Sequence, residues 1–358
     1  MKNKFYPLRV KSIEKTTADC AVIEFDVKAD WRSDFAFKQG QYLTLKANIG
    51  SEEVRRSYSL CTSPLDGEWK VAVKKIDGGR FSTFANEQLQ VGDTLEVLPP
   101  TGRFFVESQR TAAKNYTTFA AGSGITPILS IIKTHLQLEP ESTFKLFYIN
   151  QTVASIILRE ELEALKNQFL SRFEIFHFLT RQERSVSLFN GRIDRAKLDI
   201  LFKTLIDETE SDDFFICGPN EMIFLIQDYL LEKGFDKRQI HFELFNTGTI
   251  PAKKTKKRKP KIDSSLLSEI NIHEGGKTFK FSIPIGSDNI LDAALRNKAD
   301  LPYACKGGVC CTCRAKLVSG KVDMELTYGL EEEEIAQGYV LTCQAIPLTE
   351  KVVVDFEA

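Results

Sequence analysis

Five of the eight cysteines in this chain lie between residues 305 and 343. Three of them follow the spacing Cys305-x4-Cys310-x2-Cys313, and Cys343 comes much later. This is the spacing of a 2Fe–2S site, in which two sulfide-bridged irons need four thiolates that converge on one small volume. A tight loop can supply three thiolates and a distant strand the fourth. We therefore predict that these four cysteines ligate a 2Fe–2S cluster.

Two alternatives concern the same loop. A zinc site would favour two C-x2-C pairs, and this segment has only one. Cys311 could replace a neighbouring ligand, but it breaks the spacing, so we interpret it as a non-ligand. Gly307 and Gly308 can let the loop fold back and aim backbone N–H groups at the sulfurs. Cys20 and Cys61 are predicted to be buried core thiols.

The composition is that of an ordinary folded protein. The chain has 358 residues, enough for two or three domains, and 42% of them are apolar. A net charge of −1 creates no global field that would draw the chain to nucleic acid or to a membrane surface. The sequence has no apolar run of about 18 residues and no apolar secretory segment near its start. We therefore expect a cytoplasmic protein that binds neither nucleic acid nor a membrane.

The residue pattern changes twice along the chain. Residues 1–108 hold six short segments of alternating β-branched and aromatic residues, which predict an antiparallel barrel or sandwich. In residues 109–248, apolar strands alternate with helical segments, which predicts a parallel sheet in an α/β domain. Residues 265–358 combine a hairpin, a helix, the cysteine loop and further strands. The segment 249–264 is expected to be an exposed linker, and its basic run at 253–261 leaves a nucleic-acid or acidic-partner patch as an alternative.

The first domain carries residue types that suit a flavin. At the end of a predicted strand, Arg56 can neutralise phosphates, Tyr58 can pack on the ring, and Ser59 can approach ring atom N5. Taken alone, this short motif also fits an ordinary strand end. Further along, a glycine-rich turn enters a helix, where backbone N–H groups can bind phosphate. The residues of that turn are Gly79, Ser82 and Thr83.

A turn in the second domain suits a dinucleotide. Gly122 and Gly124 follow a predicted strand and allow close backbone approach, while Thr126 and Pro127 open the next helix. Thr126 can donate to a phosphate at that helix N-terminus. The alternative is a plain strand–helix connection.

A second turn, Cys217-Gly218-Pro219, follows another strand of the same predicted sheet. Ligands bind at the carboxyl ends of parallel strands. Cys217 can therefore help to align a hydride donor, and the alternative is a packed thiol.

These motifs together resemble the ferredoxin–NADP reductase superfamily. The series RSYS, GGRFST and PPTGRF resembles its flavin barrel, AAGSGITP its nucleotide turn, and ACKGGVCCTC with LTCQA the loop of plant-type ferredoxins. The resemblance implies FAD, with FMN as the alternative, and a β-grasp (α+β) ferredoxin domain at residues 265–358. It also implies that Glu243 and Phe245 in HFELF close the flavin site.

The resemblance further implies a nicotinamide cofactor. Superfamily members often place a Ser/Thr-Arg pair at the position of Thr180 and Arg181, and Arg192 is a second candidate for the 2′-phosphate. We therefore favour NADPH and keep NADH as the alternative. The chain departs from many relatives at Asn150-Gln151-Thr152, where a possible arginine is absent. Solvated arginines without a ligand role remain a further alternative.

The order of the modules indicates an electron path. NAD(P)H gives two electrons at once and a 2Fe–2S cluster takes one, so a flavin is needed between them. Barrel, nucleotide domain and C-terminal ferredoxin in that order, with LPYACKGGVC and GYVLTCQA, resemble the reductase subunits of phenylacetyl-CoA epoxidases. This implies electron transfer to separate di-iron oxygenase subunits. The alternatives are the reductase of another oxygenase, hydroxylase or desaturase, and a redox sensor with slow turnover.

Overall fold

The computed structural model describes residues 4–245 and 263–358, with side chains from residue 266 onward in the second range. The chain divides into two compact units, Phe5–Phe245 and a C-terminal unit. The three domain boundaries given above stay predictions. The basic run at 253–261 and most of the expected linker lie outside the described residues. No helix within the described ranges is long and apolar enough to cross a bilayer.

The N-terminal part of the first unit is an antiparallel barrel. Its strands lie in the order β4-β3-β6-β1-β2-β5, and Leu60, just after β4, pairs with Val71 of β5. This bridge joins the two edge strands and closes the barrel. All six segments predicted from the sequence form strands, and helix α1 follows β5. The elements are β1 (Tyr6–Thr17), β2 (Cys20–Asp26), β3 (Tyr42–Ile49), β4 (Glu52–Ser59), β5 (Trp69–Lys74), α1 (Arg80–Glu87) and β6 (Thr94–Thr101).

The second part of this unit is a five-stranded parallel sheet with the order β11-β10-β7-β8-β9. The order reverses between β7 and β10, which makes their carboxyl ends a topological switch point where ligands bind. Helix α4 was not predicted. The elements are β7 (Asn115–Ala121), α2 (Ile125–Leu138), β8 (Thr143–Asn150), α3 (Arg159–Gln168), β9 (Phe173–Leu179), α4 (Arg195–Thr204), β10 (Ser211–Cys217), α5 (Asn220–Glu232) and β11 (Ile240–Glu243).

The parallel register brings aromatic side chains together across three strands. Phe119 pairs with Phe147, and Phe147 pairs with Phe176. Their rings stack with centroids 5.0 and 5.1 Å apart. Strands of a parallel sheet are covered on both faces, so apolar residues fill both. This explains why the sequence of these strands is nearly continuous in large apolar residues.

The C-terminal unit is a mixed sheet with the order β13-β12-β18-β14-β16, in which β12 and β18 are parallel. This α+β arrangement confirms the predicted fold class. Its elements are β12 (Asp263–Glu274), β13 (Lys277–Ile285), α6 (Ile290–Arg296), β14 (Arg314–Ser319), β15 (Val322–Asp323), α7 (Glu332–Ala336), β16 (Tyr339–Leu341), β17 (Ile346–Pro347) and β18 (Lys351–Asp355).

One predicted strand, LTCQA, is wrong in part. Strand β16 ends at Leu341, and residues 342–344 form a turn. The backbone curls because the N–H groups of Gln344 and Ala345 both donate to the Leu341 carbonyl, at 2.8 and 2.9 Å. The fourth predicted cluster ligand, Cys343, therefore lies in a turn rather than in a strand.

Candidate functional site

The four cysteines of the spacing motif lie together in the C-terminal unit. The Sγ atoms of Cys310 and Cys305 are 3.1 Å apart, and Cys343 interacts with both Cys305 and Cys313. Hydrogen bonds from Cys310 and Cys343 lower the pKa of Cys305, and a hydrogen bond from Cys343 lowers the pKa of Cys313. The Gly307 N–H also donates to Cys305 Sγ at 3.3 Å. The sequence-based expectation of backbone N–H groups aimed at sulfur is thus confirmed for Gly307.

The loop is held in shape by tight backbone approaches. Lys306 and Gly308 adopt left-handed φ angles of 52° and 74°. A Cβ added to Gly308 would lie 2.7 Å from the Leu326 carbonyl oxygen, and one added to Gly329 would lie 2.3 Å from that of Cys310. Gly329 therefore lets the following segment pack directly on the ligand loop, a role that the sequence analysis missed.

The donor set fits a 2Fe–2S cluster. Four thiols from a loop and a turn are the ligands that such a cluster requires. Among the residues that the structure describes, no group of three or more His, Cys, Asp or Glu is arranged to hold a single metal ion. Cys311 is half-exposed in the same loop, and its non-ligand role stays a prediction.

A polar cluster lies where the barrel meets the parallel sheet, and it consists of two buried residues, Ser59 and Cys217, and the half-buried Glu243. Ser59 Oγ at the end of β4 donates to Glu243 Oε2 at 3.1 Å. Glu243 ends β11, and it pairs in register with Cys217 at the end of β10. Burial raises the pKa of Glu243 to about 8, while the hydrogen bond from Ser59 opposes the rise. Burial and then the Glu243 charge raise the pKa of the Cys217 thiol, which is fully buried.

Two predicted flavin residues, Tyr58 and Arg56, lie one and three residues before Ser59 on strand β4. Tyr58 is half-buried against Phe81 of α1, with ring centroids 5.5 Å apart. Arg56 is exposed, and its Nη1 atom donates to the Arg55 carbonyl at 2.7 Å. An aromatic face, an exposed cation and a protonated carboxyl suit the ring, phosphates and polar edge of a flavin. These residues therefore fit the group.

The glycine-rich turn before α1 is tightly built. A Cβ added to Gly79 would lie 2.4 Å from Ser82 Oγ. The Ser82 hydroxyl donates to the Gly79 carbonyl and accepts from the Ile76 N–H, both at 3.2 Å. The Thr83 N–H donates to the Gly79 carbonyl at 2.9 Å as part of the helix. Ser82 thus stabilises the turn itself, and its role as a phosphate contact stays a prediction.

The two turns of the parallel sheet pack against each other. A Cβ added to Gly124 would lie 2.2 Å from the Cys217 carbonyl oxygen, and one added to Gly218 would lie 2.9 Å from Ala121 Cβ. Gly122 has a φ of 53°, and a Cβ there would meet no atom within 4 Å. Open space at Gly122 fits the approach of a ligand, whereas Gly124 is needed for packing.

The first residues of α2 are buried. The Thr126 hydroxyl donates to the Ser123 carbonyl at 3.0 Å, and the side chain is 2% exposed. Pro127 is buried beside it, and Pro219 caps α5 in an extended conformation. Thr126 therefore satisfies its donor within the turn.

The candidate 2′-phosphate residues follow strand β9: Thr180 and Arg181 come directly after it, and Arg192 lies before helix α4. The Thr180 and Arg181 N–H groups donate to the carbonyls of Asn150 and Gln151, at 2.9 and 2.8 Å. Both arginines are exposed, and Arg192 lies 3.7 Å from Glu221. A solvent-exposed pair of this kind is weak, so Arg192 can turn toward a phosphate. Phe245, at the end of the first unit, is 39% exposed.

Comparison with known proteins identifies the modules. Three family models match in chain order: an oxidoreductase FAD-binding domain at residues 7–106, an oxidoreductase NAD-binding domain at 119–228, and a 2Fe-2S iron-sulfur cluster binding domain at 272–348. A component of the 1,2-phenylacetyl-CoA epoxidase of Escherichia coli (strain K12) is 44% identical over 99% of this chain and 98% of its own length. The chain belongs to the oxygenase reductases of the ferredoxin–NADP reductase superfamily.

Other members of this reductase family serve different oxygenases. The ferredoxin reductase component of 3-ketosteroid-9-alpha-monooxygenase from Rhodococcus rhodochrous is 32% identical over 98% of this chain and 96% of its own length. Phthalate dioxygenase reductase aligns over 98% of both chains with a TM-score of 0.58 at 22% identity, which supports the fold. This reductase is therefore an oxidoreductase with FAD-, NAD- and 2Fe-2S-binding domains. The predicted family, the flavin FAD, a nicotinamide cofactor and the 2Fe–2S cluster are confirmed, whereas the choice of NADPH over NADH and the individual site residues stay predictions.

Proposed function

We propose that this chain oxidises NADPH and delivers single electrons to the di-iron oxygenase subunits of a phenylacetyl-CoA epoxidase, in phenylacetate catabolism. The observation that carries the proposal is the full-length similarity to the epoxidase component, together with four converging thiols that follow a flavin and a nucleotide module in the chain. The proposal includes the cytoplasmic location expected from the sequence. It also includes the domain division at residues 108, 248 and 264.

Residues near the switch point have distinct roles in this proposal. A bound FAD would accept a hydride and release its electrons one at a time, which is the chemistry that no side chain supplies. Tyr58 packs on the ring, and Arg56 with the N-terminus of α1 neutralises the phosphates. Glu243 Oε2 accepts the hydrogen bond from Ser59, and burial favours the neutral form of this carboxyl, which adds no negative charge beside the ring. The fully buried thiol of Cys217 stays uncharged and packs behind the nicotinamide site.

The nucleotide side of the proposal concerns the phosphates. The turn Gly122–Gly124 and the backbone N–H groups at the N-terminus of α2 hold the pyrophosphate. Thr126, whose hydroxyl donates to the Ser123 carbonyl, and the buried Pro127 keep this turn in shape. Gly218 and Pro219 complete the second turn, and Phe245 covers the flavin edge. Thr180, Arg181 and Arg192 receive the 2′-phosphate and so favour NADPH over NADH.

Reconstitution with purified oxygenase subunits tests the proposal. The holoenzyme, the epoxidase oxygenase subunits, NADPH and oxygen should consume phenylacetyl-CoA in step with NADPH oxidation. The Cys343→Ser variant serves as a matched control, because it should lose this coupled activity and still pass electrons from NADPH to ferricyanide. Absence of phenylacetyl-CoA consumption by the wild type, with ferricyanide reduction intact, would contradict the assignment of the partner.

A second candidate acceptor is a 3-ketosteroid monooxygenase. The 32% identity to that reductase over nearly the full chain favours it next. The same assay with the steroid oxygenase separates the two, because the true partner should support faster coupled turnover. A redox sensor would instead show turnover well below about 1 s⁻¹ with every acceptor, the low end of enzyme rates.

A further inference from the structure

Helix α2 is hydrogen-bonded to the flavin barrel through buried hydroxyl groups. Ser130 Oγ donates to the Thr62 carbonyl at 2.6 Å and accepts from the Gly40 N–H at 3.4 Å. Thr134, one turn further along the helix, lies 2.9 Å from Ser63 between hydroxyl oxygens. Ser130, Thr134 and Ser63 are all 1% exposed or less. The contact is therefore shielded from water.

The hydrogen-bond directions in this contact follow from the partners. Thr134 Oγ1 donates to the Ser130 carbonyl at 2.7 Å, so it must accept from the Ser63 hydroxyl. Ser63 Oγ in turn accepts from the Leu65 N–H at 3.2 Å. Each hydroxyl thus uses its single proton and at least one lone pair. Loss of one hydroxyl would leave a buried partner unsatisfied.

Two further polar contacts join the same helix to the barrel. Lys133 Nζ lies 2.7 Å from Asp66 Oδ2, and Gln39 Nε2 lies 3.2 Å from His135 Nε2. His135 Nδ1 lies 2.9 Å from Glu139 Oε1, which orients the ring from within α2. The barrel loops therefore contact the helix at several positions within two of its turns. Such a contact holds the helix in a single position along and around its axis.

This contact connects the two halves of the proposed redox site, the flavin-binding strand and the nucleotide-binding turn. Thr62 and Ser63 come three and four residues after Ser59, which ends β4. Helix α2 begins at Ile125, immediately after the turn Gly122–Gly124. A helix is a stiff element, so its docking on the barrel sets where that turn lies relative to the flavin strand.

We infer that Ser130 and Thr134 are positioning residues for hydride transfer, which fix the nucleotide-binding turn against the flavin-binding strand. This inference rests on the proposed function. A misplacement of about 1 Å can lower a reaction rate by up to about a hundredfold without abolishing binding. Neither side chain needs to touch the reacting atoms for this effect.

The test compares three interface variants with a matched control. Ser130→Ala and Thr134→Val each remove one interface hydroxyl, and Thr134→Ser keeps the hydroxyl with a smaller side chain. Thr118→Val is the control, because Thr118 is fully buried in β7 and its hydroxyl donates to the Lys145 carbonyl of the same sheet, not to a barrel residue. For each holoenzyme we would measure the limiting rate of flavin reduction by NADPH, the Kd for NADP⁺, the FAD content and Tm.

Ser130→Ala and Thr134→Val should each lower the limiting rate about tenfold, with the Kd for NADP⁺ changed less than about twofold. Thr134→Ser should recover most of the rate. Thr118→Val should lower Tm and leave the limiting rate within about twofold of the wild type.

Unchanged rates in both hydroxyl-deleted variants would overturn the inference, as would an equal loss of rate in Thr118→Val. If Ser130→Ala or Thr134→Val loses FAD or fails to fold, the other hydroxyl-deleted variant is compared with Thr134→Ser. A slower limiting rate in the hydroxyl-deleted variant supports the inference, and equal rates overturn it. The wild-type measurement distinguishes failure of this inference from failure of the proposed function. A wild type whose flavin is not reduced by NADPH contradicts the proposed function itself.

Discussion

Ionisation of Glu243 can be followed as the pH rises through the slightly alkaline range. The pKa of this carboxyl rises from 4.5 to about 8, because burial outweighs the hydrogen bond from Ser59. A shift of about 3.5 units corresponds to about 5 kcal/mol in favour of the protonated form. At pH 7 only about one molecule in ten should therefore carry the carboxylate.

The same shift predicts the sign of a stability change. Above pH 4.5 the unfolded chain releases the Glu243 proton, whereas the folded chain keeps it up to about pH 8. The free energy of unfolding should therefore fall across this window, by at most about 5 kcal/mol from this residue. Glu243→Gln cannot ionise, so the variant should lack this part of the pH dependence and gain relative stability as the pH rises.

Infrared difference spectra of wild type minus Glu243→Gln provide the direct assay. The carbonyl band of a protonated carboxyl should be present at pH 6 and disappear with a midpoint at about pH 8. Ser59→Ala should move that midpoint upward, since the Ser59 hydrogen bond lowers the pKa of Glu243. A band that is absent at pH 6, or a midpoint that does not respond to Ser59→Ala, would refute the reasoning.

The remaining predictions concern the cluster, the nucleotide and the packed turns. Cys310→Ser should lose the iron and visible absorbance of the cluster, whereas Cys311→Ser should retain both in metal analysis and spectroscopy; loss in the second variant would make Cys311 a ligand. Arg181→Gln should raise the KM for NADPH about tenfold relative to that for NADH in initial-rate assays, because a charged hydrogen bond to phosphate is lost. Equal changes for both nucleotides would contradict this. Gly124→Ala should lower the free energy of unfolding by about 1–3 kcal/mol or more in urea titration, since its Cβ would lie 2.2 Å from the Cys217 carbonyl oxygen.

The strands of the first unit could be predicted from local sequence because their side chains alternate or run apolar along short segments. Helix α4 (Arg195–Thr204) was missed because only three of its residues, Leu198, Leu201 and Phe202, are buried. The turn at Cys343 was missed for a different reason. Apolar and β-branched neighbours favour a strand there, but two backbone hydrogen bonds to the Leu341 carbonyl curl the chain. The turn forms because tertiary contacts place the Leu341 carbonyl where both N–H groups can reach it. The local residue pattern does not encode that position.

The roles of the glycines in the site could also be predicted only in part from the sequence. The sequence predicts close approach of a ligand at both Gly122 and Gly124, yet of these two glycines only Gly122 faces open space. Gly124 lacks a side chain because the turn after β10 occupies that volume. Its neighbour across the contact is the Cys217 carbonyl, and Cys217 pairs in register with Glu243. A side chain at position 124 would therefore displace Cys217 and, through that pairing, the carboxyl that accepts the hydrogen bond from Ser59. The nucleotide turn and the flavin-side carboxyl are thus coupled by packing alone, before any cofactor binds.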